Sequence, residues 1–417
     1  MAFAGKRRRV LIVVQNLPVP FDRRVWLEAT TLAQAGYAVS VISPKAKGFD
    51  ASFEVLEDVH VYRYGLPLQG GNRVGYVAEF VWCFLRTAMK VARVAVTGRG
   101  FDVLQVCNPP ETYWPIGVAV RLLGKKFVFD HHDLSPEMYQ VKFGDNGGRT
   151  LRLLCFLELM TFSVADLVLT TNESHKAVAI TRGKRQPEDV YVVRSGPDLQ
   201  RLCVYPRDPE WRRGKKHLLV YLGEICEQDG VDHLVRALGR LRDAGREGFH
   251  CVLVGGGPYQ ARIRDYADQL DLSDVCTFTG RVTDDELCRV LSSADLAVDP
   301  DPKNDWSDKS TMNKIMEYMF FGLPIVAYDL AENRYSAQDA AVYAQGNDDG
   351  ELAARISDLI DDPARRAQMA SFGRQRLRQV LAWEHSAPVL LQAYGQLFDV
   401  AGSTGQPRRA SLEQIQQ

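Results

Sequence analysis

Short apolar runs alternate with amphipathic stretches along this chain, stop once, and then start again. "RVLIVV" (residues 9–14) is a continuous apolar, β-branched run. In "RRVWLEATTLAQA", Val25, Ala29, Leu32 and Ala33 fall on one helical face, and Gly36 can close the helix. "AVSVI" is the next strand. A β-α-β unit with wholly apolar strands predicts a parallel sheet covered on both sides. "DVLQV", "KFVFD", "ADLVLT" and "DVYVV" continue the series. The polar stretch "RSGPDLQRLCVYPRDPEWRRGKKH" then interrupts it with prolines and clustered charge, as a domain boundary does. "HLLVYLG", "HCVLVGGG", "VCTFTG", "ADLAVDP" and "PIVAY" form a second series. The predicted fold is α/β, with two Rossmann-like parallel-sheet domains facing a central cleft. The boundaries are residues 1–200 and 214–384, and a helix over 385–400 is expected to pack back on the first domain. The last stretch, "AGSTGQPRRASLEQIQQ", reads as a frayed tail.

Composition narrows the partners. Lys plus Arg number 51 and Asp plus Glu 52, a net charge of -1. Nucleic-acid binders are more often basic, so no nucleic-acid partner is expected. The eight cysteines include no C-x-x-C pair, which excludes the common zinc and thioredoxin spacings and suits a reducing compartment. The apolar run after the basic start is shorter than a signal-peptide core of roughly 7–15 residues, so a cytoplasmic location is expected. Residues 73–100 are rich in large apolar side chains and also carry Glu79, Arg86, Lys90 and Arg93. Those charges argue against a spanning helix. Two readings stay open: an amphipathic core helix, or a basic amphipathic surface that touches the inner face of the cell membrane.

In open parallel sheets, ligands bind beyond the C-terminal ends of the strands. Two such domains predict an interdomain cleft, with one substrate on each. The second domain carries "DPKNDWSDKSTMNKIMEYMFFGLPIVAYD" after a strand. A helix is expected over 312–321, stopped by Gly322 and Pro324 and capped by Ser310 or Thr311. Its N-terminus suits a phosphate, with Lys309 and Lys314 adding charge. Lys314 and Glu317 are three residues apart and share a face. A phosphate-binding cation and a ribose-binding carboxylate on one helix would hold a nucleotide; a solvated turn with a Lys–Glu pair is the alternative. In the first domain, expected to hold the acceptor, "LPVPFDRRVWLEA" puts Asp22 where a helix cap belongs, and Asp22 is also a candidate acceptor or cleft residue. Arg24 is a candidate for an acceptor phosphate or a donor diphosphate, since an arginine fork suits phosphate. "FDHHDLSPEMY" places His131 and His132 just after a strand.

"KIMEYMFFGLPIVAYD" resembles the donor-binding helix of retaining glycosyltransferases of family 4, which have the GT-B fold. The resemblance runs over roughly residues 10–398. It implies that Glu317 meets the donor ribose and that Ser310, Thr311, Met312 and Asn313 line the diphosphate and sugar, with Lys314 near the phosphates. The family's first glutamate falls at Lys309 here. "YLGEICEQDG" resembles the glycine turn beside the diphosphate, with Gly223 as the place of close backbone approach. Glu224 and Asp229 stand where the family often has Arg and Lys, which puts more weight on Lys309 and Lys314. "CTFTGRVTDDEL" resembles the segment whose backbone, around Arg281 and Val282, meets the base. His132 matches the family's cleft histidine near the transferred sugar, and Asn108 a cleft position.

The implied reaction moves a sugar from a nucleotide-diphosphate sugar, the co-substrate, to an acceptor hydroxyl. Catalysis would rest on His132, Lys314 and Glu317, with no separate cofactor. The acceptor expected is lipid-linked or saccharide, in bacterial surface or exopolysaccharide synthesis. "DPDP" at Asp299 and Asp301 reads as an acidic loop, so no metal is expected. Two alternatives share the fold: a sugar-nucleotide epimerase, and a nucleotide-sugar-binding homologue without activity. A dinucleotide oxidoreductase is disfavoured because no strand is followed by G-x-G-x-x-G with an acidic residue about twenty positions on.

Overall fold

A computed structural model describes residues 7–66, 73–144 and 147–399, and the expected tail lies outside the described residues. The first sheet is built from β1 (Arg9–Val13), β2 (Ala38–Pro44), β3 (Phe53–Leu56), β4 (Val59–Tyr64), β5 (Val103–Cys107), β6 (Lys126–His131), β7 (Leu167–Thr170) and β8 (Val190–Val192). Its order is β3-β4-β2-β1-β5-β6-β7-β8, parallel throughout except for the antiparallel edge pair β3–β4. The second sheet contains β9 (His217–Leu222), β10 (Phe249–Val254), β11 (Cys276–Gly280), β12 (Leu296–Asp299), β13 (Ile325–Tyr328) and β14 (Ala341–Ala344). It is parallel in the order β11-β10-β9-β12-β13-β14.

Each apolar run named in the sequence forms a strand. Alternate side chains feed two cores, one on either side of each sheet. In β1, Val10 and Ile12 face one core while Leu11 and Val13 face the other. The helix Trp383–Asp399 covers the first of these with Leu390, Ala393, Tyr394 and Leu397. Fully burying one such aliphatic side chain is worth about 1.5–3 kcal/mol. The chain crosses between domains near Gly196 and again near Leu381. The crossings touch there: a Cβ on Gly196 would lie 2.2 Å from the Leu381 carbonyl oxygen.

The helix Arg73–Val96 packs Cys83, Val91 and Val94 into the first domain's core. Its outward side leaves Val81, Leu85 and Met89 about half exposed. Among the described residues, no helix is long and apolar enough to cross a membrane.

Both sheets reverse their strand order beside a central strand, β1 in the first and β9 in the second. That crevice is where open α/β sheets bind ligands. The loops holding Asp22, Asn108 and His132 leave the C-terminal ends of β1, β5 and β6, and those holding Gly223, Arg281 and Lys309 leave β9, β11 and β12.

Candidate active site

The first domain's wall is organised by Asp130, fully buried near the end of β6. Arg24 grips it twice, Nε to Oδ2 at 3.1 Å and Nη2 to Oδ1 at 2.7 Å. Nη1 of Arg24 donates to the Val193 carbonyl and to Ser195 Oγ, and Nη2 also lies 3.1 Å from Glu28 Oε1. Arg24 thus makes four hydrogen bonds and a buried ion pair inside the first domain. Buried and committed to these partners, Arg24 faces the domain interior and not an acceptor phosphate or a donor diphosphate, which differs from the sequence expectation.

What Asp130 positions is His132, whose Nδ1 lies 3.1 Å from Asp130 Oδ2. Burial works against a charged imidazole, but Asp130's charge and hydrogen bond overcome it and raise the His132 pKa. The ring keeps an opening, with 14% of its side chain exposed. Asn108 fixes the backbone of this turn, its Oδ1 accepting from His132 N–H at 2.8 Å and its Nδ2 donating to the Asp133 carbonyl. It is 1% exposed, so it shapes the cleft from behind. Asp22 caps the helix Arg23–Gln34 by accepting from Val25 N–H at 3.1 Å. His131 points away from the cleft, completely buried against Glu158. Cys107, Asp130 and His132 lie close together, but the Arg24 guanidinium already neutralises the carboxylate there. Glu28 sits beneath; burial and Asp130's charge push its carboxyl up to about 7, against the pull of Arg24.

The second domain's wall is backbone, then a helix end. The turns after β9 and β10 touch so closely that a Cβ on Gly255, whose φ is +130°, would lie 1.8 Å from Gly223's carbonyl oxygen. A Cβ on Gly223 would press on Tyr221 at 2.7 Å. The helix after β12 spans Asn313–Phe321 and closes at Gly322 in the left-handed region. Met312 holds the cap position and offers no side-chain cap. The expected cap by Ser310 or Thr311 is thus corrected: Ser310 Oγ donates to the Trp306 carbonyl and Thr311 Oγ1 accepts from Asn172 Nδ2 across the cleft. The first turn's N–H groups therefore have no side-chain cap, the condition an anion needs. Asn313 is exposed at this end.

The two lysines differ from expectation. Lys314 Nζ lies 2.5 Å from Asp301 Oδ2 and 3.1 Å from Asp299 Oδ1. Burial alone would lower its pKa; Asp301, Tyr221 and Asp299 hold it well above the ordinary lysine value. "DPDP" is accordingly no exposed acidic loop, because both carboxylates are buried under Lys314. Lys309 stays at the rim, 3.8 Å from Glu137 of the first domain. Glu317 does not pair with Lys314 either. Its Oε1 accepts from Arg23 Nη1 at 2.8 Å and Arg201 Nη2 at 3.1 Å. Asp284 binds the other arms of both arginines, at 3.0 and 2.8 Å. Glu317 is 7% exposed, and burial raises its pKa against the pull of the two arginines. Arg281 lies at the exposed rim, paired with Glu224 at 3.2 Å, while Val282 packs half-buried beside it.

Sequence reasoning missed Arg23, Arg201 and Asp284, whose significance arises only from contacts between segments far apart in the chain. Asp130 sat inside the quoted "FDHHD", but nothing local marked it as Arg24's partner.

The family description "Glycosyltransferase Family 4" matches residues 22–201, and "Glycosyl transferases group 1" matches residues 207–376. Together the two matches mark the chain as a family-4-like glycosyltransferase. A D-inositol 3-phosphate glycosyltransferase of Salinispora tropica is 24% identical over 398 residues, covering 88% of this transferase and 79% of that one. A 2-deoxystreptamine glucosyltransferase of Streptomyces kanamyceticus is 27% identical over 176 residues, 42% of this chain and 44% of that relative. This transferase thus spans less than half the length of that relative. Sucrose-phosphate synthase of Thermosynechococcus elongatus superimposes with a TM-score of 0.75 at 18% identity, covering 94% of this chain and all of the other. HepE of Anabaena, solved in complex with UDP, gives a TM-score of 0.69 at 15% identity over 94% and 99% of the two chains. These likenesses place the transferase in the GT-B fold.

Proposed function

We propose that this enzyme moves a hexosyl unit from a nucleotide-diphosphate sugar to an acceptor hydroxyl, with retention at the anomeric carbon. One observation carries the reading. A helix end without a side-chain cap and a buried carboxylate, Glu317, face a partly exposed His132 across one cleft. Glu317 accepts from the ribose diol, and the first turn at Asn313 receives the diphosphate. The bond from C1 to the phosphate oxygen breaks with its electron pair leaving on the diphosphate. The acceptor oxygen bonds C1, and its proton goes to the departing diphosphate. The helix end stabilises the charge that develops there. Lys314, locked between two aspartates, holds the Asp299–Asp301 turn in place, and His132 hydrogen-bonds the sugar.

An epimerase would need several free acid/base groups in the cleft. Here Asp130 and Glu28 are both held by Arg24, which favours transfer. Product stereochemistry tests retention: the anomeric proton coupling of the product should match that of the donor, and an inverted coupling contradicts it.

The acceptor is lipid-linked or saccharide, as surface or exopolysaccharide synthesis requires. The exposed Val81, Leu85 and Met89, with Arg86, Lys90 and Arg93 on the same helix, suit an anionic membrane surface. Flotation with anionic liposomes should be lost on changing Arg86, Lys90 and Arg93 together to alanine. Equal flotation of that variant refutes the basic face.

A further inference from the structure

We infer that Arg23, from the first domain, is the cation that takes the donor's diphosphate; the inference rests on the donor site proposed above. The phosphate charge needs a partner; Lys309 stays at the rim beside Glu137, and the buried cations are unavailable. Lys314 is committed to Asp299 and Asp301, and Arg24 to Asp130, Glu28, Val193 and Ser195. The turn after β9 presents acids, Glu224 and Asp229. Arg23 is different. Its side chain is 46% exposed and already reaches over the cleft to the second domain.

Position agrees with chemistry. A nucleotide sugar runs in the order ribose, diphosphate, sugar. With ribose at Glu317 and sugar at His132, the diphosphate lies between them. Arg23 spans that interval: it follows Asp22, whose carboxyl feels the His132 charge, and its Nη1 ends 2.8 Å from Glu317 Oε1. When the ribose hydroxyls donate to Glu317, they replace this bond. The freed guanidinium is then beside the phosphates, where its planar fork makes two charge-assisted hydrogen bonds. Arg201 remains bridging Glu317 and Asp284. Because Arg23 and Glu317 belong to different domains, the exchange also links donor binding to the closure of the cleft.

The test compares binding of UDP, GDP and ADP with binding of uridine, guanosine and adenosine, by calorimetry and saturation-transfer NMR. For the diphosphate that the wild type binds, Arg23→Ala should weaken affinity about tenfold or more, the value of one charge-assisted contact. Affinity for the matching nucleoside should stay equal or rise, since Glu317 is released; this also shows that the variant is folded. Arg23→Lys should restore part of the loss, keeping the charge without the fork. Equal or tighter diphosphate binding by Arg23→Ala overturns the proposal and makes Arg23 a mere placeholder on Glu317. A wild-type protein that binds none of the three diphosphates removes the nucleotide reading itself, a result distinct from a failure of Arg23 alone.

Discussion

Replacing Glu317 with alanine is expected to abolish the thermal stabilisation that a nucleoside diphosphate gives the wild-type enzyme. A ligand at a hundredfold excess over its Kd stabilises the native state by about 2.7 kcal/mol. In domains of this size that moves the melting temperature by several degrees, at about 2–4 °C per kcal/mol. The ribose diol needs an acceptor, and Glu317 is the buried carboxylate in the middle of the Asn313–Phe321 helix. Without it, the ribose hydroxyls lose the carboxylate that accepts from them. The fold should survive, because Asp284 still neutralises Arg23 and Arg201. Glu317→Gln keeps an acceptor oxygen and should keep part of the shift. An undiminished shift in the alanine variant would remove Glu317 from the nucleotide site.

Arg24→Ala should be the most damaging single change in the first domain, at about 3–5 kcal/mol of stability together with loss of activity. The magnitude is that of leaving a buried charge unpaired. Asp130 and Glu28 are both fully buried, and Arg24 is the cation that binds the two together. His132 would then sit on an unanchored carboxylate. The effect has a pH signature. Burial alone would raise Asp130's pKa, but Arg24 and His132 overcome it and hold the carboxyl well below its ordinary value. A depressed carboxyl contributes stability above its unfolded pKa, about 3.9, which is lost as pH falls through the folded value. The variant should lose this acid-side dependence along with its stability at neutral pH. Urea unfolding across a pH series measures both. A variant within about 1 kcal/mol of the wild type, as for an ordinary surface change, would show that Arg24 is not the keystone.

Much of this architecture is legible in the chain because a buried parallel strand writes itself as a short, wholly apolar run. The β3–β4 hairpin escaped notice for an identifiable reason. Its turn uses Glu57 and Asp58, both with positive φ, in place of the Asn-Gly or Asp-Gly pair that signals such a turn. The strand Ala341–Ala344 is four residues long and has the alanine-rich composition of a helix. The site was legible as a set of loops and one helix, less so as a set of bonds. Spacing put Lys314 and Glu317 on one face correctly, but could not reveal that Asp299 and Asp301 take the lysine while arginines from two other segments take the glutamate. Asp22 and Arg24 show the same limit. A cap depends on residues three apart and is readable; a buried guanidinium clamp depends on β6, on the chain after β8 and on the next helical turn.

The central claim is sugar transfer from a nucleotide donor, and the fate of a labelled sugar tests it most directly. A panel of labelled nucleotide sugars is incubated with the enzyme and a membrane extract, and free nucleoside diphosphate is counted against label in lipid or polymer. The account predicts one donor that gives equal amounts of both, with Glu317→Ala giving neither. Release of an epimerised free sugar or sugar nucleotide, without label in any acceptor, would contradict it.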